Sequence, residues 1–251
     1  MIELKNVKKQ YSEKVKIGTL DLVIPAAGLT SIIGPNGAGK STMLLMIGRL
    51  LGMDEGAISV AGMDVTEAKS DDLAKILAIL RQENHFITKL SVRQLVSFGR
   101  FPYSKGRLNV EDERIVSQYI EFLGLRDLES RLLNELSGGQ RQRAYVAMVL
   151  CQETDYVLLD EPLNNLDAAR SVQMMQYLRQ AADEFDRTIV TVLHDINFAA
   201  KYSDHICAMK EGKVVAFGCP EDIMKQEVLT EIFDTQVQIL DCSYGQVAVY
   251  W

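Results

Sequence analysis

The segment from Gly34 to Ser41 has the residue types and spacing of a phosphate-binding loop. In order it reads Gly34, Pro35, Asn36, Gly37, Ala38, Gly39, Lys40 and Ser41. This order fits the pattern of a glycine, four variable residues, a glycine, a lysine and a serine or threonine. In such a loop the backbone N–H groups surround phosphate oxygens, and the start of the following helix adds partial positive charge. We expect Lys40 to reach the β- and γ-phosphates of a nucleotide and Ser41 to bind Mg²⁺. A chance glycine-rich turn is the alternative, and the predicted strand before the loop and helix after it argue against that interpretation.

Two acidic residues, Asp160 and Glu161, directly follow the apolar run from Tyr156 to Leu159. Such a run predicts a buried strand, and the ligands of parallel sheets bind at the carboxyl ends of the strands. We expect Asp160 to bind Mg²⁺ there. Glu161 is expected to orient an attacking water or to accept its proton during phosphoryl transfer to water. The alternative is that both carboxylates cap the helix predicted to start near Asp167.

His194 and the segment that starts at Ser137 are two further candidates for phosphate contacts. His194 follows the apolar run 188–193, so we expect its imidazole at the same sheet edge as Asp160, within reach of a γ-phosphate. A histidine with only a structural role is the alternative. The sequence Ser137-Gly138-Gly139-Gln140 precedes a helical stretch and could present backbone N–H groups to a second anion. Taken by itself, this segment favours the simpler interpretation that Ser137 caps the helix and the glycines form a turn.

The hydrophobic pattern predicts the strands and helices that must position these residues. Short apolar runs predict strands at 29–33, 57–61, 156–159 and 188–193. Helical spacing covers 40–51, 91–99, 110–123, 138–150 and 168–184, and residues 71–80 mix helical spacing with a terminal apolar run. The order of these elements indicates parallel β-α-β units and an α/β fold, with a helical insertion between its two halves. The chain opens with strand patterns near Ile2 and at 20–24, and it closes with a predicted hairpin over 206–217, short helices and a strand pair that ends at Trp251.

The composition limits the classes of protein to which this chain can belong. The 251 residues are 47% hydrophobic and 24% charged, which is typical of a globular protein long enough to bury a core. The four cysteines form no Cys-x-x-Cys pair and have no histidine at metal-ligand spacing, so we expect free thiols in a reducing compartment. There is neither an apolar run near the ~20 residues of a membrane span nor a secretory signal. Because the net charge of −7 also argues against a duplex-DNA binder, we expect a cytoplasmic protein with no nucleic-acid partner.

Taken together, these motifs resemble those of the ATP-binding cassette (ABC) ATPases. The family's motifs occur in order along nearly the whole chain: Walker A at 34–41, the Q-loop glutamine at Gln82, the signature at 136–140, Walker B at 156–161, the D-loop at Leu166-Asp167 and the switch histidine at His194. The signature beside a Walker A loop is the most specific part of the match. The resemblance implies a single ABC ATPase domain over residues 1–251. Its fold would be a P-loop NTPase core with a mostly parallel sheet, an N-terminal antiparallel β part and a helical subdomain inserted at approximately 85–152.

The resemblance also implies roles that the spacing alone does not, with ATP and Mg²⁺ as cofactors. Tyr11 would stack on the adenine, a core tyrosine at a strand end being the alternative. Gln82 would contact Mg²⁺ or the attacking water and sense a membrane partner. Ser137 and Gly139 would bind the γ-phosphate of an ATP held by a second copy of the chain, so that two cassettes enclose two nucleotides with Asp167 at their interface. The remaining implied contacts with nucleotide are Thr42, Gly138 and Gln140.

Two local sequences are similar to those of ABC importers for iron–siderophore complexes and cobalamin. They are Gly99-Arg100-Phe101-Pro102-Tyr103 and Glu161-Pro162-Leu163-Asn164-Asn165-Leu166-Asp167. Leu163 stands where many ABC proteins have serine or threonine, and Arg81 departs from the proline that frequently precedes the Q-loop glutamine. This similarity implies the ATP-hydrolysing subunit of an importer for iron–siderophore complexes, bound peripherally at the cytoplasmic face of the membrane. Its partners would be permease subunits, a second copy of itself and, indirectly, a solute-binding protein.

The permease would contact the region from Gln82 to Gly106, where four aromatic residues occur. They are Phe86, Phe98, Phe101 and Tyr103. The alternative is that these side chains form the core of the helical insertion, because aromatic spacing does not distinguish a core from an interface.

Several other functions stay open on the sequence alone. The cargo could be cobalamin, haem or another compound. A soluble ABC ATPase that acts on nucleic acid or ribosomes is a further alternative, against which the absence of tandem cassettes and of sustained heptads argues. A GTPase would need an Asn-Lys-x-Asp sequence, which is absent, and a small-molecule kinase would leave residues 136–140 unexplained. An intact Glu161 argues against a nucleotide switch without catalytic activity.

Overall fold

Three sheets and a set of helices make up the part of the chain that the computed structural model describes, which comprises residues 1–12, 15–82, 89–243 and 245–250. The strands are β1 (Ile2–Gln10), β2 (Lys16–Ile24), β3 (Gly28–Ile33), β4 (Glu55–Val60), β5 (Met63–Asp64), β6 (Leu77–Leu80), β7 (Tyr156–Leu159), β8 (Thr188–Val192), β9 (His205–Lys210), β10 (Lys213–Gly218), β11 (Val237–Cys242) and β12 (Gly245–Tyr250). The α-helices are α1 (Lys40–Ile47), α2 (Ser70–Leu73), α3 (Val92–Ser97), α4 (Phe101–Ser104), α5 (Val110–Phe122), α6 (Gly138–Cys151), α7 (Ala168–Glu184), α8 (Ile196–Tyr202), α9 (Pro220–Ile223) and α10 (Gln226–Phe233). Short 3₁₀ turns cover Phe98–Arg100, Arg126–Leu128 and Leu133–Glu135.

A six-stranded sheet positions most of the candidate site residues. Its strand order is β10-β9-β3-β8-β7-β6. All neighbours from β9 to β6 are parallel, and β10 is antiparallel to β9. Strands β3, β7 and β8 are buried almost throughout, as expected of parallel strands that are covered on both faces. Because these three strands are neighbours, the residues just beyond them, Gly34, Asp160 and His194, lie along one edge of the sheet.

Alternate residues of the central strands face two hydrophobic cores. On β7, Leu158 packs in a core with α1 and the N-terminal strands. Its neighbours Val157 and Leu159 pack in the other core, together with apolar residues of α5, α6 and α7. The period of two along a strand explains this division. Both faces of the sheet are therefore packed against other elements, and this packing fixes the strand ends that position the loops at the carboxyl edge.

The N-terminal strands form a second sheet with the order β2-β1-β4-β5, and all of its neighbours are antiparallel. Ile2 lies opposite Ile24 on one side and Val60 on the other, and all three side chains are buried. The predicted N-terminal antiparallel part is therefore confirmed. Together with the mostly parallel central sheet, it confirms the predicted α/β fold class.

Helices dominate the described residues between 89 and 151. Helices α3 and α5 each begin with a capping box, formed by Ser91 with Gln94 and by Asn109 with Asp112, which satisfies backbone N–H groups that a helix start leaves unpaired. Their buried residues pack in the same core as α6. That residues 85–152 form a separate inserted subdomain stays a prediction, and its first residues, 85–88, lie outside the described ones.

Several boundaries differ from the predicted ones for local reasons. The first helix ends at Ile47 instead of residue 51, because the chain passes through Gly48 and then Arg49 with a positive φ of 55°. Residues 71–80 divide into the short helix α2 and the strand β6. The final strand pair is present as far as Tyr250, and Trp251 lies outside the described residues. Among the described helices, none combines the length and the apolar character needed to cross a bilayer.

Candidate active site

The loop from Gly34 to Gly39 joins β3 to α1 and holds Lys40 in a buried position. Lys40 is 5% exposed, and its Nζ donates hydrogen bonds to the carbonyl oxygens of Gly34 at 2.8 Å and Pro35 at 3.0 Å. Gly34 has a φ of 140°, and a Cβ there would lie 2.0 Å from the carbonyl oxygen of Met209. A side chain at position 34 is therefore excluded by both conformation and space. At the tip of the loop, Asn36 and Gly37 are exposed.

Burial and two nearby carboxylates shift the pKa of Lys40 in opposite directions. Burial lowers the pKa of Lys40, and the negative charges of Glu161 and Asp160 raise it in part. The ammonium group is thus desolvated, and within the described part of the chain it donates its hydrogen bonds to neutral carbonyls. A phosphate oxygen would give this group a charged partner, which makes a stronger hydrogen bond.

Ser41 and Asp160 form a pair of oxygen donors beside this lysine. The Ser41 hydroxyl donates to Asp160 Oδ1 at 2.8 Å. Asp160 is 3% exposed, and burial raises the pKa of its carboxyl, an effect that the hydrogen bond from Ser41 opposes. A hydroxyl and a single carboxylate are hard oxygen ligands of the kind that hold Mg²⁺ when phosphate oxygens supply further ligands. The residues present therefore fit a magnesium ion that is bound together with a nucleotide.

Glu161 is the centre of a hydrogen-bonded cluster. Gln82 Nε2 donates to Glu161 Oε2 at 2.7 Å, and the Asn164 side-chain amide donates to the same oxygen. His194 Nε2 lies 2.7 Å from Glu161 Oε1. The Glu161 side chain is 9% exposed, and its backbone has a φ of 52°. Such a left-handed backbone conformation is uncommon for glutamate. The strain energy that it costs is often found at functional sites.

The cluster separates the alternatives that the sequence left open for the two acids. Asp160 bonds to Ser41, and Glu161 bonds to Gln82 and Asn164. Helix α7 is instead capped by Asp167, which accepts a hydrogen bond from the Arg170 N–H at 2.9 Å. The helix-cap interpretation is therefore wrong for Asp160 and Glu161. As predicted, His194 reaches the same sheet edge as Asp160.

Tyr11 lies beside the first turn of α1. Its hydroxyl is 3.2 Å from Thr42 Oγ1, and the side chain is 53% exposed. The alternative of a core tyrosine is therefore wrong. Stacking of the exposed ring on an adenine stays a prediction.

The signature residues lie at the start of α6, next to the start of α7. The Ser137 hydroxyl accepts a hydrogen bond from the Gln140 N–H at 3.3 Å, and Gln140 Oε1 accepts one from the Ser137 N–H at 2.9 Å. Ser137 thus has the capping role that local chemistry favoured. A Cβ at Gly139 would lie 2.8 Å from Arg170 Cδ, so this glycine permits close contact between the two helix starts. Ser137 and Gly138 are exposed.

Asn164 is a residue of the cluster to which the sequence analysis assigned no role. The turn after β7 brings it back to Glu161, and its backbone N–H also donates to the Glu161 carbonyl at 3.2 Å. Its position three residues after Glu161 indicates that a turn could bring the two side chains together. Without the left-handed turn at Glu161, however, the direction of the side chain could not be inferred.

Comparisons with known proteins assign the chain to a family. A family model described as ABC transporter matches residues 17–164. The chain is 72% identical over 250 residues to the petrobactin import ATP-binding protein FatE of Bacillus anthracis, and it is 46% identical over 251 residues to the petrobactin import ATP-binding protein YclP of Bacillus subtilis, with 100% of both chains covered in each case. It superposes with a TM-score of 0.78 and 29% identity on a dimeric post-hydrolysis structure of the ATP-binding cassette MJ0796 bound to ADP and Pi, covering 88% of this chain and 99% of that one.

These similarities confirm the family, the fold and the class of enzyme that the motifs indicated. The matches to named relatives extend over the whole chain, not only the phosphate-binding loop. The kinase and GTPase alternatives are thereby excluded. The chain is an ATP-binding ATPase that belongs to the ABC transporter family.

Proposed function

We propose that this chain is the ATP-hydrolysing subunit of a membrane importer for iron–siderophore complexes, and that ferric petrobactin is its cargo. The observation that carries the ATPase part is the Glu161 cluster, in which Gln82, Asn164 and His194 surround a carboxylate next to the Ser41–Asp160 pair. The cargo is proposed from the two petrobactin import relatives, which match the chain from end to end.

In this proposal, ATP binds along the loop from Gly34 to Thr42. Lys40 exchanges its bonds with the carbonyls of Gly34 and Pro35 for bonds with the β- and γ-phosphates. The other loop residues contribute backbone N–H groups, except Pro35, which has no N–H. The exposed Tyr11 ring covers the adenine. Ser41, Asp160 and Gln82 would hold Mg²⁺, which would supply positive charge against the phosphates.

Glu161 is the proposed general base. Its Oε2 accepts bonds from Gln82 and Asn164, which fix the carboxylate while leaving its charge in place. Glu161 takes a proton from the water that attacks the γ-phosphate, or holds this water in line. His194, 46% exposed and 2.7 Å from Glu161, is close enough to the same centre to donate to the γ-phosphate.

A second copy of the chain completes each site. In this proposal, Ser137 and Gly139 of one copy contact the γ-phosphate bound by the other, and Gly138 and Gln140 shape the same contact. Asp167 lies at the interface between the copies. The exposure of Ser137 and Gly138 supports the proposal, as does the dimeric state of the similar cassette structure. A switch of the open and closed dimer from 1:99 to 99:1 needs ATP to favour closure by ~5.5 kcal/mol.

We place the permease contact on the region from Gln82 to Gly106, in the first part of the proposed helical subdomain at 85–152. Phe98, Phe101 and Tyr103 are exposed by 48%, 54% and 41%. They therefore lie at the surface, which favours an interface over the alternative of a core. Phe86 lies outside the described residues. The chain would bind peripherally at the cytoplasmic face and meet the solute-binding protein only through the permease.

The test is ATP hydrolysis by membranes that contain this chain together with the permease subunits of its own genome. We expect ferric petrobactin with its binding protein to stimulate hydrolysis, and a Glu161→Gln variant to abolish the stimulated rate. Stimulation by a different ferric siderophore alone would change the cargo and leave the importer assignment in place. A rate that ignored the permease but responded to DNA or ribosomes would overturn the transport function.

A further inference from the structure

The segment Gly99-Arg100-Phe101-Pro102-Tyr103 packs directly against the end of the signature helix α6. A Cβ at Gly99 would lie 2.2 Å from the carbonyl oxygen of Met148 and 3.1 Å from the backbone nitrogen of Gln152. Because real Cβ atoms do not approach backbone atoms so closely, a side chain at position 99 would push the segment away from the helix. The glycine therefore allows backbone-to-backbone contact between the two.

Arg100 then ties this segment to two helices through a buried guanidinium, a set of contacts that we name the arginine junction. Its Nε donates to Asp112 Oδ1 at 3.0 Å, and its Nη1 donates to the Cys151 carbonyl at 3.0 Å and to Glu153 Oε2 at 3.2 Å. Its guanidinium carbon lies 4.3 Å from the centre of the Tyr103 ring. The junction therefore joins the start of α5, the end of α6 and the short helix α4.

Burial makes the loss of either partner of the Arg100–Asp112 pair costly, and the geometry of the junction favours arginine over lysine at position 100. The side chains of Arg100 and Asp112 are only 7% and 4% exposed. A buried charge is costly unless it is paired and hydrogen-bonded, and removal of one partner leaves the other uncompensated. The flat, branched donor group of arginine can serve several acceptors at fixed angles, whereas the lysine ammonium is a single point charge.

The junction lies between two surfaces that the proposed function uses. Helix α6 starts at the signature, beside Ser137, and ends at Cys151, whose carbonyl Arg100 holds. Its 14 residues span about 21 Å at ~1.5 Å per residue. At the far end, Phe101 and Tyr103 follow Arg100 in the sequence, and both side chains are exposed. We call these two side chains the aromatic pair.

We propose, on the basis of the proposed importer function, that Arg100 is a positioning residue that couples the signature helix to the permease. When the signature of one copy meets ATP on the other, α6 moves as one body. The arginine junction carries this movement to the aromatic pair, which contacts an apolar cytoplasmic segment of the permease. Without the junction, the cassette would still bind and hydrolyse ATP, but the two surfaces would move independently.

The experiment compares basal and permease-stimulated ATP hydrolysis for three variants of the full chain. Arg100→Lys keeps the charge and removes the branched donor group. Glu153→Gln weakens the junction at a partner that is 31% exposed, so that folding is preserved. Arg93→Lys is the matched control, because Arg93 pairs with Glu113 at 3.0 Å in the same helical region and is more exposed. Thermal unfolding of each purified variant accompanies the rates.

We expect Arg100→Lys and Glu153→Gln to keep the basal rate and to lose stimulation by about fivefold or more, in the range of a coupling free energy. Arg93→Lys should behave as wild type. Full stimulation in both junction variants would overturn the proposal, and so would a parallel loss of basal and stimulated rates, which indicates a purely structural role. If Arg100→Lys does not fold, Glu153→Gln decides. Absence of stimulation in the wild type would instead refute the importer function, and the coupling proposal with it.

Discussion

Replacement of Glu161 by glutamine isolates the proposed base from the groups that hold it. The variant keeps the size of the side chain, and its amide oxygen can still accept a hydrogen bond from Gln82 or Asn164. It loses the negative charge of a side chain that is 9% exposed. A single hydrogen bond contributes only about 1 kcal/mol net to stability, so the fold should be preserved. Lys40 and the phosphate-binding loop are untouched, and ATP affinity should therefore stay near the wild-type value.

The rate of hydrolysis should fall much further. General base catalysis contributes about 10²- to 10⁴-fold. A wild-type turnover on the order of 10 per second, which is typical of enzymes, would become about one event in ten seconds to one in ~17 minutes. We propose that hydrolysis reopens the dimer, so that ATP-bound dimers of this variant should persist for the same times.

Light scattering during size-exclusion chromatography with Mg-ATP would detect this dimer, and rapid quenching would give the rate. The matched control is Glu184→Gln, because Glu184 is an exposed carboxylate at the end of α7 that accepts a bond from Gln180 at 3.0 Å. The control should remain fully active. Wild-type turnover by Glu161→Gln would refute the base assignment, and loss of ATP binding would show that the carboxylate holds the loop instead.

Three further predictions concern substitutions at Lys40, Asp160 and Asn197. Lys40→Ala removes a charge-assisted bond worth about 1.5–3 kcal/mol, so ATP affinity measured by titration should fall by at least about tenfold, and unchanged affinity would contradict the phosphate role. Burial raises the pKa of the Asp160 carboxyl, so this carboxyl stays protonated to a higher pH in the folded state than in the unfolded state. The stability of the fold therefore decreases as pH rises through the pKa of the folded state. Without nucleotide, the Asp160→Asn variant should therefore have a higher melting temperature than the wild type at neutral pH and the same one near about pH 3. It should also lack ATPase activity. A lower melting temperature at neutral pH would refute the burial argument. The Asn197 side-chain amide accepts a hydrogen bond from the N–H of the buried Ala248 at 2.8 Å and donates one to its carbonyl at 3.1 Å. Asn197→Ala should therefore lower the free energy of unfolding by about 1–3 kcal/mol and speed hydrogen exchange in β11 and β12. Unaltered exchange would show that Asn197 does not hold this strand pair in place.

The sequence predicted most of the sheet edge because adjacent parallel strands bring their ends together. The residues after β3, β7 and β8 were therefore expected to meet, and Ser41 does bond to Asp160. The bond from Gln82 to Glu161 could not be derived from periodicity, because it joins the residues that follow two neighbouring strands through side chains alone. The contribution of Asn164 likewise depends on the positive φ at Glu161, a conformation that glutamate rarely adopts.

The signature shows a different limit of sequence reasoning. Local chemistry favoured Ser137 as a helix cap, and the structure has that cap. Capping uses one acceptor position of the hydroxyl, while its proton and a second lone pair are still able to form bonds. The two interpretations are therefore compatible. The contact proposed with a second copy would use these remaining positions of the hydroxyl.

Uptake of radioactive iron from ferric petrobactin by cells that lack this chain tests the central claim most directly. The cells are complemented with the wild type or with Glu161→Gln at equal membrane-bound amounts. Restored uptake with the wild type and none with the variant is the result expected of an ATP-driven importer subunit. Equal uptake without the chain, or full uptake with Glu161→Gln, would contradict the proposal that hydrolysis at this site powers import.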